Sequence, residues 1–137
     1  MRKDLITRLN EGPVLCAEGY LFAMERRGYL QAGAFVPEVV LEHPEVLSQL
    51  HREFIRSGSD VIQAFTYYGH REKLRIIGKE QLLEPLQKNA LQIAKDSKEE
   101  FKDLDLMVCG DIANTNIYDP NDKKSNIECQ KMFEEQV

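Results

Sequence analysis

The stretch VLCAEGYLFAMERRGY (Val14 to Tyr29) decides how this chain is read. An apolar run ends on Cys16, Ala17, Glu18 and Gly19, then resumes at once as Tyr20, Leu21, Phe22, Ala23 and Met24. GPVLC (12–16) follows a Gly-Pro turn signal and reads as a short strand, while 20–27 reads as a helix stopped by Gly28. A turn that only reversed the chain would need neither a thiol nor a carboxylate. A turn at the mouth of an active site would use both.

Moving outward, residues 3–10 read as a short helix with Leu5, Ile6 and Leu9 on one side. VPEVVLEHPEVLSQLHREFIRSG (36–58) carries two helical pieces started by Pro37 and Pro44, with Gly58 as the stop. In the second piece Val46, Leu47, Leu50 and Phe54 recur at helical spacing and predict a buried stripe. DVIQAFTYY (60–68) is β-rich and mostly apolar, a strand buried on both faces. A long helical region follows at about 79–101, interrupted near Pro85, with Leu86, Ala90, Ile93 and Ala94 facing inward. LDLMVCGDIANT (104–115) reads as a third strand with a polar loop, and 124–136 as a last helix. Strands alternating with helices imply parallel strands joined by crossovers, an α/β fold. Functional groups in such folds gather beyond the carboxyl ends of the strands. Three loops therefore hold the candidates: Cys16–Gly19, Thr66–His70 and Gly110–Tyr118.

Composition narrows the chemistry. The 137 residues are one domain's worth, with 42% hydrophobic and 30% charged residues, so disorder is not indicated. A net charge of −5 with scattered lysines and arginines leaves no basic stripe for nucleic acid. No apolar run approaches the roughly 18 residues of a membrane span, and MRKDLITRLNEG at the start has no apolar signal core. Cys16, Cys109 and Cys129 are odd in number and widely spaced, which makes no disulfide framework. The expected compartment is a reducing cytoplasm.

Within the three loops each residue type has a plain reading and a sharper one. Cys16 and Cys109 fall short of the three or four ligands zinc takes, and small cysteines are common in cores. Tyr67 and Tyr68 either cap the core or face a ligand, in which case their rings suit a quaternary ammonium or sulfonium methyl group. His43 and His51 are expected at the surface, and His70 is either a site histidine or a cap. Asn114, Thr115 and Asn116 read as turn chemistry. The sequence has no glycine-rich phosphate loop, Ser–His–Asp pattern or CxxC.

GYLFAMERRGYLQAG (19–33), HPEVLSQLHREFIRSGSDVIQAFTYY (43–68) and LMVCGDIANTNIYDP (106–120) resemble the homocysteine S-methyltransferase family, in its betaine–homocysteine branch. The likeness runs from about residue 5 to the last residue. It implies a (β/α)8 barrel, a fold of about 250 residues. Residues 1–137 would then be a single incomplete domain, about three βα units from the N-terminal part of that barrel. It also implies methyl transfer from betaine or a similar onium donor to the zinc-bound thiolate of homocysteine, giving methionine. The family's zinc cysteines lie in the later half of the barrel, and Cys16, Cys109 and Cys129 do not match them. By the same resemblance Ala17, Glu18 and Gly19 would hold the amino-acid end of homocysteine. Gln63, Thr66, Tyr67, Tyr68 and Phe35 would line the donor side.

Three departures stand out. Ala17 occupies the position where the family carries an aspartate that pairs with the substrate ammonium, and Glu18 replaces a glycine. Phe35 stands where the betaine enzymes have tryptophan, and Tyr67 where they have phenylalanine. A carboxylate one residue later is expected to point elsewhere, since side chains alternate near a strand end. Betaine is therefore less secure as the donor than methyl transfer to homocysteine, and a sulfonium donor such as S-methylmethionine, or a quaternary amine other than betaine, remains open. The chain alone is expected to be inactive and to self-associate as a homo-oligomer, or to need the rest of the barrel. A non-catalytic relative acting as an interaction module is the alternative, and a small complete binding domain the third.

Overall fold

Proline and glycine punctuate the chain where the sequence leads one to expect. Pro44 opens a helix over Pro44–Arg56, and Gly58 ends it with φ +101°, a conformation costly for any residue with a Cβ. The computed structural model describes residues 3–31, 33 and 38–137. Phe35 and Pro37, two positions singled out from the sequence, lie outside the described residues.

The helices in chain order are α1 (Leu5–Glu11), α2 (Tyr20–Arg26), α3 (Val39–Glu42), α4 (Pro44–Arg56), α5 (Arg71–Ile76), α6 (Leu83–Glu99) and α7 (Lys123–Gln136). Two strands, β1 (Val61–Gln63) and β2 (Met107–Cys109), pair in parallel, with Val61 opposite Met107 and Gln63 opposite Cys109. The expected first strand contracts to one parallel bridge between Cys16 and Val61. Around it the Val61 N–H donates to Leu15 O at 3.0 Å and the Ala17 N–H to Val61 O at 2.8 Å. Pro13 has no N–H to offer a ladder, which limits pairing on its side. The lateral order is the Cys16 segment, then β1, then β2, as the α/β reading requires.

Three expectations need correction. DVIQAFTYY is a strand only as far as Gln63. Beyond it the Thr66 N–H turns back to Ala64 O at 3.0 Å, and Tyr68 takes φ +60°. Pro85 does not interrupt α6, because it sits in the first turn, where N–H groups have no helical acceptor. Finally, α5 was not foreseen. It is six residues long, and His70 caps it by accepting from the Lys73 N–H.

The core lies between the sheet and α2, α4 and α6. Met24, Leu47, Leu50, Ile62, Leu74 and Leu86 are all fully buried there. Burying a side chain of this kind contributes about 1.5–3 kcal/mol. The expected stripe on α4 is present, with Phe54 half-buried at its edge. Side chains alternate along a strand, so Ile62 and Ala64, which belong to this core, define the helix-facing side of β1. Gln63 and its register partner Cys109 share the opposite face.

Candidate ligand cleft at the strand ends

Three loops converge where the parallel segments end. Gly19 takes φ +81° as the cap of α2, so the chain swings from the Cys16 bridge directly into the helix. Ala17, just before, is 2% exposed and packs into the core. Glu18, the next residue, is exposed and lines a cleft of about 310 Å³. Its partners in that lining include Phe22, Gln63, Phe65, Tyr67 and Asp111. The expected alternation is present: Ala17 is buried in the core, and Glu18, one residue later, lines the cleft.

Of the residues expected to hold substrates, Glu18, Gly19, Gln63 and Tyr67 are therefore brought together. Thr66 is buried, and its hydroxyl donates to the Asp111 carbonyl at 2.6 Å, tying the loop after β1 to the loop after β2. Tyr68 does not line the cleft. Its ring stacks on Tyr67 with centroids 4.3 Å apart, and the Lys73 ammonium lies 4.6 Å from its centroid. The two tyrosines thus divide the two roles: Tyr67 faces the cleft and Tyr68 braces it.

The charge environment at this end is distinctive. Burial holds the Asp111 carboxyl above the ordinary carboxylate range. Burial, and then the neighbouring Cys16 thiol, push the Cys109 thiol up to about 11, so it is not a thiolate near neutral pH. Among the described residues no three His, Cys, Asp or Glu side chains are placed to hold a metal ion. The free cysteines also divide: Cys16 is exposed, Cys109 half-buried and Cys129 buried against the Thr115 hydroxyl at 3.0 Å.

Sequence reasoning undervalued two residues. Asp111 was only one polar member of a loop, although a carboxylate directly after VCG at a strand end is a visible signal. His51 was expected at the surface and is 1% exposed, with Nδ1 2.9 Å from the Tyr20 hydroxyl. Burial pulls its pKa down to about 4 and raises that of the Tyr20 phenol, so a neutral pair links α2 to α4 beneath the cleft. His70 is a helix cap, as its plainer reading had it, with Nε2 unpartnered among the described residues.

A parallel α/β unit with an acidic, aromatic cleft at the carboxyl ends of its strands is the class that fold and site define. Comparison with known proteins makes it specific. The family model for homocysteine S-methyltransferase matches residues 19–137. Betaine–homocysteine S-methyltransferase 1 of Bos taurus is 38% identical over 142 residues, spanning 100% of this chain and 34% of that protein. The Mus musculus protein of the same name is 38% identical over 141 residues, covering 99% and 33%. In fold, the metallated form of the homocysteine methyltransferase MmuM from Escherichia coli superposes with a TM-score of 0.78 at 19% identity. That match covers 97% of this chain and 51% of that one. This chain belongs to the homocysteine S-methyltransferase family. It spans about a third of the length of the curated relatives named here, in their N-terminal part.

Proposed function

We propose that this chain forms the first βα units of a (β/α)8 barrel that methylates homocysteine to methionine, using betaine or a related onium compound as donor. In that reaction the homocysteine sulfur, having lost its proton, attacks the methyl carbon. The bond from that carbon to the donor nitrogen or sulfur breaks, and its electron pair leaves with the neutral amine or thioether. The supporting observation is the cleft itself, which sets the carboxylates of Glu18 and Asp111 beside the rings of Tyr20, Phe65 and Tyr67. Ring faces attract onium methyl groups by about 0.5–2 kcal/mol. Carboxylates complement the ammonium of an amino acid.

The zinc that the family resemblance implies does not fit the described residues of this chain: the Cys109 thiol is held protonated and no three ligands converge. The contribution proposed here is to bind and orient the organic parts of both substrates, and holding two reactants in register can lower a barrier by several kcal/mol. Alone, the 137 residues are proposed to bind without turning over, and to associate through the open edges of the sheet.

The test is a titration of the chain with L-homocysteine and with betaine, alongside a methionine assay by mass spectrometry. Saturable binding near millimolar or tighter, without methionine, is the expected result. No binding of either compound would remove this reading.

A further inference from the structure

Among the described residues lining the cleft there are two carboxylates and no lysine, arginine or histidine. Neither Glu18 nor Asp111 has a salt-bridge partner among the described residues, whereas Asp60, Asp105 and Glu38 all do. The cleft therefore carries negative charge that no described residue of its lining balances.

The two carboxylates are not equivalent. Glu18 is exposed beside Gly19 and free to rotate into water. Asp111 is half-buried and tethered on both sides. The hydroxyl of Thr66, itself 2% exposed, donates to the Asp111 carbonyl at 2.6 Å, and two residues on the Ala113 N–H donates to Gln136 Oε1 at 3.1 Å. A carboxylate held partly out of water attracts a cation more strongly than an exposed one, and the two hydrogen bonds fix the main chain that carries it. Ala17, whose methyl is packed into the core, brings no charge at all.

We propose that Asp111 is the anionic anchor of this cleft: its carboxylate, rather than that of Glu18, takes the ammonium group of the amino-acid substrate. The assignment rests on the homocysteine reading above and adds to it a residue from the third strand's loop. The cationic group would sit between Asp111 and the Tyr67 ring, with Gln63 on the floor of the same cleft. Burial makes the Asp111 charge costly while the cleft is empty, and an incoming ammonium relieves that cost. Tyr67 faces it from the loop after β1, Cys109 from β2, and Glu18 and Tyr20 from the first loop and α2.

The experiment compares L-homocysteine, 4-mercaptobutyrate (the same molecule without its ammonium) and n-butylammonium by calorimetric titration of the full chain. Asp111→Asn is expected to weaken homocysteine and n-butylammonium by at least about tenfold and to leave 4-mercaptobutyrate unchanged. Glu18→Gln is expected to change homocysteine affinity by less than about threefold. Because burial opposes the Asp111 charge, Asp111→Asn should melt no lower than the parent. If it does melt lower, the pH profile in the Glu18→Gln background carries the same test. There homocysteine affinity falls as Asp111 protonates, while 4-mercaptobutyrate affinity stays flat. Equal homocysteine affinity in parent and Asp111→Asn, a larger loss in Glu18→Gln, or a flat homocysteine pH profile would overturn the anchor while leaving the methyltransferase reading intact. Binding of n-butylammonium through Asp111 with no homocysteine binding would do the reverse. Binding of neither compound by the parent would overturn both.

Discussion

At the amino end of the sheet Arg8 reaches Asp105 at 2.8 Å and Asp60 at 3.7 Å, with only 12% of its side chain exposed. At the carboxyl end Glu18 and Asp111 line a cleft with no cation beside them among the described residues. The hollow at the amino end is the larger of the two, about 520 Å³ against about 310 Å³, yet its charges satisfy one another. Asp60 also accepts from the Leu15 N–H at 2.9 Å, and Asp105 from the Lys3 N–H at 3.1 Å, so these carboxylates knit the segments that enter the sheet. Volume therefore does not identify the site. Unbalanced charge does, because a buried or half-buried charge without a partner is a cost that folding alone would not retain.

The largest expected effect concerns the neutral His51–Tyr20 pair beneath the cleft. The folded His51 has its pKa lowered from 6.5 to about 4, so the unfolded chain takes up the proton first. Its contribution is full above pH 6.5 and drains away as pH falls towards 4, on the order of 3 kcal/mol in all. Urea midpoints at pH 7 and pH 4.5 should therefore fall further for the parent than for His51→Gln. Equal falls would mean that the pair does not couple the cleft helix to the core.

Next, Arg8→Ala should cost about 1–3 kcal/mol of stability, because it removes the guanidinium that bridges Asp60 and Asp105. Homocysteine affinity should not change. A variant that melts normally would show that the amino end is no more than a surface network.

Gly69→Ala is expected to cost about 1–2 kcal/mol, since the added Cβ would meet the Thr66 carbonyl at 2.9 Å. Thr66 carries Asp111, so ligand affinity should fall with the melting temperature; loss of one without the other would uncouple the turn from the cleft. The smallest effect is that of Glu18→Gln, within about 0.5 kcal/mol by thermal melting, because Glu18 is exposed and unpaired among the described residues. A large stability change there would erase the contrast between the two ends.

The long helices were legible because their signals are local. Pro44 and Gly58 bracket α4, and Asp122 caps α7 by accepting from the Lys124 N–H at 2.9 Å. The buried His51 was legible too, since it falls four residues after Leu47 and four before Ile55 on the buried stripe. A histidine's usual place is the surface, and here the helical period overrides it. The end of β1 was not legible. Ala64 to Tyr68 has strand composition, and the turn it makes depends on the β2 loop: the Ala64 N–H donates to Cys109 O at 2.9 Å, and Thr66 is held by Asp111. Nor was α5, since six residues are too few for a period to show.

The alternation of elements, the parallel pairing it requires and the three loops that meet at one end follow from the order of residues. Periodicity, turn chemistry and crossover rules act along the chain and need no distant partner. Which of those loop residues meet was decided by the tertiary structure. A strand's pleat sent Ala17 into the core and Glu18 to the cleft, and a hydroxyl 45 residues away in sequence fixed Asp111 in place. Burial and charge balance depend on what lies opposite, and no local pattern contains that information.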